Sequence, residues 1–410
     1  MKEKPTHAPM NQFTIIDGEL HIGGIPITRL AERVGQTPFY AYDRNLITQR
    51  VKLLRDSFPE ALHLHYAIKA NPMPAVVQHL AGLVDGFDLA SVGEMKTALD
   101  TTMPTDKISF AGPGKTDKEL KQAIAADIII NMESEGEMRR IAQHAEQLGI
   151  RPKVAIRINP DYELKSSGMK MGGGPKQFGV DAERVPAMLK ELASLDLEFY
   201  GFHIFWGSQN LNPDAIMEAH EKTFDLAIRM NGHADSPAKL LNIGGGLGIP
   251  YFPGEKRLDL GAIGENLDRL LPKLQTNLPE AEIVTELGRF LVGEGGIYVC
   301  KIIDIKESRG EKFLITDGGL HHHLAASGNF GQVIRKNYPA AIGNKMESHT
   351  QETVSVVGPL CTPLDLLANR IDLPVVELGN LAVVFQSGAY GFTASPERFL
   401  SHPNAVEVLV

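Results

Sequence analysis

Residues 63–100, HLHYAIKANPMPAVVQHLAGLVDGFDLASVGEMKTALD, set the pattern for most of the chain. HLHYAI (63–68) is a short, largely apolar run with the length and side chains of a buried strand. It stops at Lys69, before Ala70, Asn71 and Pro72. AVVQHLAGL (75–83) then places apolar residues at i, i+3 and i+4, the spacing of an amphipathic helix. VDGFDLA (84–90) reads as a second strand and VGEMKTALD (92–100) as a second helix. Strands joined in turn by helices pair in parallel through crossovers.

The same unit recurs. Strand candidates follow at KISFAG (107–112), DIIINM (127–132), KVAIRI (153–158), FYGFHIF (199–205), LLNIGG (240–245) and EIVTEL (282–287). Helical periodicity lies between them, in segments that begin at an acidic or Ser cap such as Asp117 and Ser134. Eight strands alternating with helices predict an α/β fold, an eight-stranded parallel (β/α)8 barrel. An open doubly wound sheet is the alternative. From residue 288 the rhythm changes. GIYVCKIIDIKES (296–308), KFLITDGG (312–319), ETVSVVGPLC (352–361), NLAVVFQSGAY (380–390) and AVEVLV (405–410) read as strands separated by turns, hence a second, antiparallel β-sandwich or β-barrel domain. FTIIDGELHIGGIPI (13–27) looks like a strand pair that could join it. The expected division is residues 40–287 for the barrel, with 1–39 and 288–410 forming a discontinuous β domain.

Bulk properties bound the function. The 410 residues are 43% hydrophobic and 22% charged, ordinary for a soluble globular protein. The formal net charge of −9, without a basic run, gives no electrostatic reason to expect nucleic acid or an anionic membrane. Two cysteines, Cys300 and Cys361, suggest a reducing compartment rather than a disulfide framework. With no apolar leader or membrane-length run, the expected location is cytoplasmic.

In such a barrel, chemistry collects where the strands end. Lys69, Asp88, Gly112–Gly114, Asn131, Arg157, His203 with Phe205, Gly244–Gly246, and Glu286 with Arg289 all fall at that edge. Bare backbone N–H groups of a glycine run can cradle a phosphate. A partly desolvated Lys can attack an aldehyde, and a carboxylate can keep a pyridine nitrogen protonated. Together they suit pyridoxal 5'-phosphate, with Lys69 placed to form the internal Schiff base.

HYAIKANP, GFDLASVGE, AGPGK, INP, GSQ, LNIGGGLGIPY, ELGRFLV, GPLCTPLD and SGAYGFTAS occur in this order over nearly the whole chain. They resemble the motifs of the fold-type III pyridoxal-phosphate decarboxylases, which include the diaminopimelate and ornithine decarboxylases. SGMKMGGGPKQFGVD (167–181), DGGLHHHLAASGNFGQVIRKNYP (317–339) and GPLCTPLDLL (358–367) look most like the exosortase A system-associated pyridoxal-dependent decarboxylases. They also resemble the decarboxylase that acts on a carrier-protein-bound glutamyl group in butirosin synthesis.

The resemblance implies roles. Lys69 carries the cofactor, Asp88 lies beside it, and Ser208 with Gly244, Gly245 and Gly246 binds phosphate. Arg289 closes over the phosphate, Glu286 pairs with the pyridine nitrogen, and Tyr390 reaches the phosphate from the β domain. Arg157 and Gly288 complete the cofactor set. Asp317, Arg335, Tyr338 and Asp365 flank the substrate, Arg335 as a candidate holder of a substrate carboxylate. Cys361 comes from the neighbouring subunit of a homodimer and, like Lys69, is a candidate proton donor to the carbanion left by loss of CO₂.

Two positions depart from the family pattern. Phe205 stands where a His usually stacks on the cofactor ring, and His203 points to the same strand face. Thr362 follows Cys361 where an acidic residue is typical, which puts free diaminopimelate, ornithine or lysine in doubt as substrate. His321, His322 and His323 are consecutive and diverge, a poor spacing for a metal, so no metal is expected. The expectation is decarboxylation of an amino acid, free or carrier-protein-bound. The rivals are a racemase of the same cofactor class and a non-catalytic binder of the cofactor.

Overall fold

The computed structural model describes residues 5–162, 169–170 and 172–410, so Ser167, Gly168 and Met171 of the SGMKMGG motif lie outside the described residues. The chain clusters into two compact units. One comprises residues 51–249 and 258–288, the other residues up to Arg50, Pro250–Arg257 and Arg289–Val410.

The first unit is a closed parallel barrel. Its strands are β1 (Leu62–Ala67), β2 (Gly86–Leu89), β3 (Ile108–Phe110), β4 (Ile129–Met132), β5 (Lys153–Asn159), β6 (Glu198–Ile204), β7 (Leu240–Gly245) and β8 (Glu282–Leu287). Each pairs in parallel with the next, and β8 returns to β1 with Glu286 opposite His65. The pairing of β4 with β5, Asn131 opposite Ala155, rules out an open sheet. Strands of a barrel are covered on both faces, which explains their near-continuous apolar runs.

The intervening helices start where the chain offers a side-chain acceptor. Ser134 accepts from the Glu137 N–H as expected. The cap of the helix Asp117–Ala125 is Thr116, not Asp117: its hydroxyl accepts from the Glu119 N–H while the Glu119 carboxylate accepts from Thr116. A Thr satisfies an orphan donor as well as an Asp does, and Asp117 takes the first helical position.

The strand starts carry an ionic cluster. His63 Nδ1 lies 2.9 Å from Glu282 Oε1, and Lys107 Nζ lies 2.5 Å from Glu282 Oε2. The bond from His63 and that from Lys107 hold the Glu282 carboxyl down to about 2 despite burial, and Glu282 in turn lifts the His63 imidazole above its ordinary value. Glu282 therefore stabilises the fold above its ordinary 4.5 and loses that contribution as pH falls toward 2. His63 contributes fully below 6.5 and loses its contribution as pH rises through its lifted value. In melting curves taken against pH, the deficit of His63→Gln should be largest between 4.5 and 6.5 and should shrink on both sides.

The second unit is a mixed sheet of eight strands, not a purely antiparallel one. Gly296–Ser308 pairs antiparallel with Glu311–Thr316, Leu381–Val384 and Phe39–Tyr42. Glu311–Thr316 runs parallel to Gln351–Val357, and Val406–Leu409 parallel to Phe39–Tyr42. Long excursions separate both parallel pairs in sequence, so no hairpin dictates their direction. The N-terminal segment forms a separate three-stranded sheet (Thr14–Ile16, Glu19–Ile22, Ile25–Pro26) instead of extending the larger one. It packs through Leu20, Ile22 and Ile27 on Phe39, Val299 and Val383. Phe39–Tyr42, fully buried, is the strand that enters the larger sheet, so the barrel unit begins later than residue 40. Among the described residues no helix is long and apolar enough to cross a membrane.

Candidate active site

Each barrel strand contributes a buried polar side chain: His65, Asp88, Ser109, Asn131, Arg157, His203, Asn242 and Glu286. Burying so many polar groups is costly unless they bond one another. Ser109 Oγ donates to Asp88 Oδ1 at 2.5 Å, and Asn131 Nδ2 donates to Ser109 Oγ at 3.1 Å. Asn242 Nδ2 lies 3.3 Å from Asp88 Oδ1 and 3.2 Å from Glu286 Oε2. His65 Nδ1 is 3.4 Å from Asp88 Oδ2, and His203 Nε2 is 3.3 Å from Glu286 Oε2. Burial alone would raise the Glu286 carboxyl; His203 first, then Lys69 and Arg157, outweigh it and hold the group well below the ordinary range. Glu286 is thus a buried anion.

Arg157 has its own counter-charge. Its Nη1 donates to Glu133 Oε1 at 2.7 Å, and the Gly112 and Gly179 N–H groups donate to the same carboxylate at 2.6 and 3.1 Å. Burial opposes ionisation of Glu133, but Arg157 and Lys115 lower it overall. Lys115, from AGPGK, is itself buried, 2.9 Å from Glu137 Oε1. This network ties the loops after β3, β4 and β5 together, and the sequence reading passed over both Glu133 and Lys115.

Lys69 lies in the 3-10 turn Ile68–Ala70 that closes β1. Its side chain is exposed in the single chain, because strand geometry ends at Ala67 and the 3-10 turn follows. Its Nζ stands 5.9 Å from the centre of the Phe205 ring. Phe205 is half-buried beside it, whereas His203 is buried against Glu286, so Phe205 is the aromatic surface turned toward Lys69. A side chain on Gly288 would come within 2.8 Å of Ala70 Cβ, so the backbone leaving β8 passes close to the Lys69 turn. Glu94 adds a carboxyl that burial raises, opposed by the Ala90 N–H and by Lys69.

The glycine run is a backbone surface in close contact. Gly244 and Gly246 have φ of +70° and +82°, conformations that L side chains rarely adopt. A Cβ on Gly244 would sit 2.6 Å from Phe205 Cδ2, one on Gly245 1.9 Å from Glu286 O, and one on Gly246 2.1 Å from Gly207 O. The strand Gly207–Ser208 and its continuation run alongside: Asn210 N–H donates to Gly246 O, and Gly248 N–H to Asn210 O, both at 2.9 Å. Ser208 is thereby held beside the bare turn.

In the second unit, Arg289 opens the short helix Arg289–Val292. Its guanidinium carbon lies 4.6 Å from the Tyr390 ring centre and 5.3 Å from that of Tyr251, and Nη1 donates to the Tyr251 hydroxyl at 2.8 Å. Tyr338 packs on Tyr251 with ring centres 4.7 Å apart. Sequence reasoning assigned Tyr251 no role; its place in LNIGGGLGIPY, five residues beyond Gly246, was the available signal. Cys361 is exposed. Asp365 is buried, and its two oxygens accept from the Leu320 and Leu360 N–H groups at 2.6 and 2.8 Å, which anchors the segment carrying Cys361. Asp317 accepts from the Thr37 hydroxyl and the Lys301 N–H, and an Arg335 nitrogen donates to Leu366 O. The three consecutive histidines turn apart: His322 Nε2 lies 2.8 Å from Pro403 O, His323 Nε2 2.9 Å from Ser387 Oγ, and His321 packs on the His322 ring.

A lysine, a buried carboxylate and a side-chain-free turn at the mouth of one parallel barrel define a site for a phosphorylated, carbonyl-bearing pyridine. Glycine is required in the turn because any Cβ there would strike neighbouring backbone or the Phe205 ring, Glu286 is a buried carboxylate, and among the described residues His203 Nδ1 is buried without a hydrogen-bond partner. The residues therefore fit pyridoxal phosphate. Residues 44–293 match the family described as pyridoxal-dependent decarboxylase, pyridoxal binding domain. The chain belongs to the fold-type III pyridoxal-phosphate-dependent decarboxylases, and pyridoxal 5'-phosphate is its cofactor. It is 38% identical over 393 residues to the L-glutamyl-[BtrI acyl-carrier protein] decarboxylase of Niallia circulans, covering 93% of this chain and 90% of that protein. It is 35% identical over 399 residues to the diaminopimelate decarboxylase of Aquifex aeolicus, covering 96% and 91%. The crystal structure of the M. jannaschii diaminopimelate decarboxylase superposes with a TM-score of 0.88 at 27% identity, covering 97% of this chain and 92% of that one.

Proposed function

We propose that this decarboxylase acts on an α-amino acid whose far end carries no free ammonium, and specifically on an aminoacyl group held by a carrier protein. The observation that carries this reading is the state of Asp365. It is the sole acidic residue of GPLCTPLDLL, and both its oxygens are occupied by backbone N–H groups. Thr362, beside Cys361, offers a hydroxyl in place of a carboxylate, and that oxygen accepts from the Leu364 N–H. A distal ammonium would find no exposed carboxylate on this segment, Asp365 being buried. The similarity to a decarboxylase named for a carrier-bound glutamyl substrate supports the same direction.

Within the reading, Gly244–Gly246 and Ser208 offer N–H and hydroxyl donors to the phosphate. Phe205 supports the ring face, and Glu286 holds a proton at the ring nitrogen. When bound, the cofactor supplies an electron sink for the bond that releases CO₂. Lys69 is the residue whose amine would hold the cofactor. Asp88, through its bonds to Ser109 and Asn242, keeps the floor of the site fixed. A carboxylate at the ring nitrogen, where a cation would give a weaker sink, favours decarboxylation over racemisation. Cys361 or Lys69 returns a proton to Cα. The thiol of Cys361 is exposed, as are the apolar side chains of Phe330, Val333, Ile334 and Leu364, which a second copy would cover in a homodimer that shares Cys361.

The test is CO₂ release from a panel of free meso-diaminopimelate, ornithine and lysine against glutamyl-loaded acyl carrier protein. Faster turnover of the loaded carrier is expected; preference for a free diamino acid would overturn the substrate reading. A monomer by sedimentation would remove the shared site.

A further inference from the structure

Asn242 lies on β7, two residues before Gly244, and is buried. The direction of its amide is set by its neighbours. The Gly244 N–H donates to one end at 2.8 Å, so that end is the oxygen. The other end is the NH₂ group, which has two hydrogens and two buried carboxylates within reach, Asp88 at 3.3 Å and Glu286 at 3.2 Å. The amide thus spends its whole donor capacity on two buried carboxyl groups, and its oxygen on the backbone of the glycine turn. The turn is held from its other side by Thr285, whose hydroxyl donates to Gly244 O at 2.8 Å.

We propose that Asn242 is a positioning residue that sets the carboxylate end and the phosphate end of the cofactor site in register with each other. The proposal rests on the reading of Glu286 and Gly244–Gly246 given above. An Asp at this position would keep the acceptor for Gly244 but lose the donors and set a third carboxylate between two others. Such a cluster retains a proton, and the protonated form recovers one donor.

The experiment uses full-length protein stripped of cofactor and titrated with pyridoxal phosphate, read by affinity and by the absorption spectrum of the bound cofactor against pH. Asn242→Ala loses both ends and should bind roughly tenfold more weakly. Asn242→Asp should bind within about threefold of the wild type, yet gain a pH-dependent spectral transition that the wild type lacks. Thr285→Val, which loosens the turn without touching the carboxylates, should bind more weakly with an unaltered spectrum, and it serves if the Asn242 variants fail to fold. Wild-type affinity in Asn242→Ala, a wild-type spectrum at every pH in Asn242→Asp, or a new transition in Thr285→Val would each overturn the proposal. Failure of the wild type itself to bind pyridoxal phosphate would instead bring down the site reading beneath it.

Discussion

Lys69→Ala should leave a folded protein that no longer holds pyridoxal phosphate covalently. Borohydride treatment of the wild type should attach the cofactor's mass to the peptide containing Lys69, and the variant should show no such addition. Decarboxylation should fall by on the order of 10⁴-fold or more, because on the proposed reading the variant loses the amine that anchors the cofactor and handles protons. Folding should be spared. Lys69 is exposed on a 3-10 turn, and the apolar residues on either side, Ile68 and Ala70, carry the burial there. A variant still fixed to the cofactor by borohydride would exclude Lys69 from the role.

The second large effect concerns Glu286. Glu286→Gln keeps the shape and a carbonyl oxygen within reach of Asn242 and His203 but removes the charge. A preorganised charge in a buried site is worth roughly 10²–10³ in rate, and a loss of that size is expected in the turnover number. The variant also changes the pH response. The Glu286 carboxyl is held below the ordinary range despite burial, by His203, Lys69 and Arg157. Its stabilising contribution is therefore present above the ordinary carboxylate value and lost as pH falls below it. The cofactor-free wild type should lose melting temperature on acidification through that region more steeply than Glu286→Gln. Parallel pH profiles would mean that Glu286 is not the anion described.

The barrel was legible because period-2 and period-3.6 patterns alternate in segments too short to be anything but strand and helix. Once that rhythm is placed, Lys69, Glu286 and Gly244–Gly246 fall at strand ends by counting alone. The exposure of Lys69 was not legible, since a run of apolar letters does not reveal where the strand yields to a turn. Nor was the direction of the strand pairs in the second unit: alternation shows which face of Gln351–Val357 is buried, but not which way its partner Glu311–Thr316 runs. Glu133, Lys115 and Asn242 escaped for a different reason. Each is an ordinary polar residue whose importance comes from partners that separate segments of the chain bring to it, and such convergence has no signature in local order. For Asp365 the resemblance implied a place beside the substrate; the backbone N–H groups of Leu320 and Leu360 that bond to it are visible only in the folded loops.

The strand Phe39–Tyr42 has one neighbour in Gly296–Ser308 and the other in Val406–Leu409. During synthesis this early segment must therefore wait for more than two hundred and fifty residues before its first partner emerges and for still longer before its second. Until the last strand docks, a fully apolar edge stays open to any other extended chain, so ribosome-bound and tail-truncated forms are those most exposed to clumping and to chaperone capture.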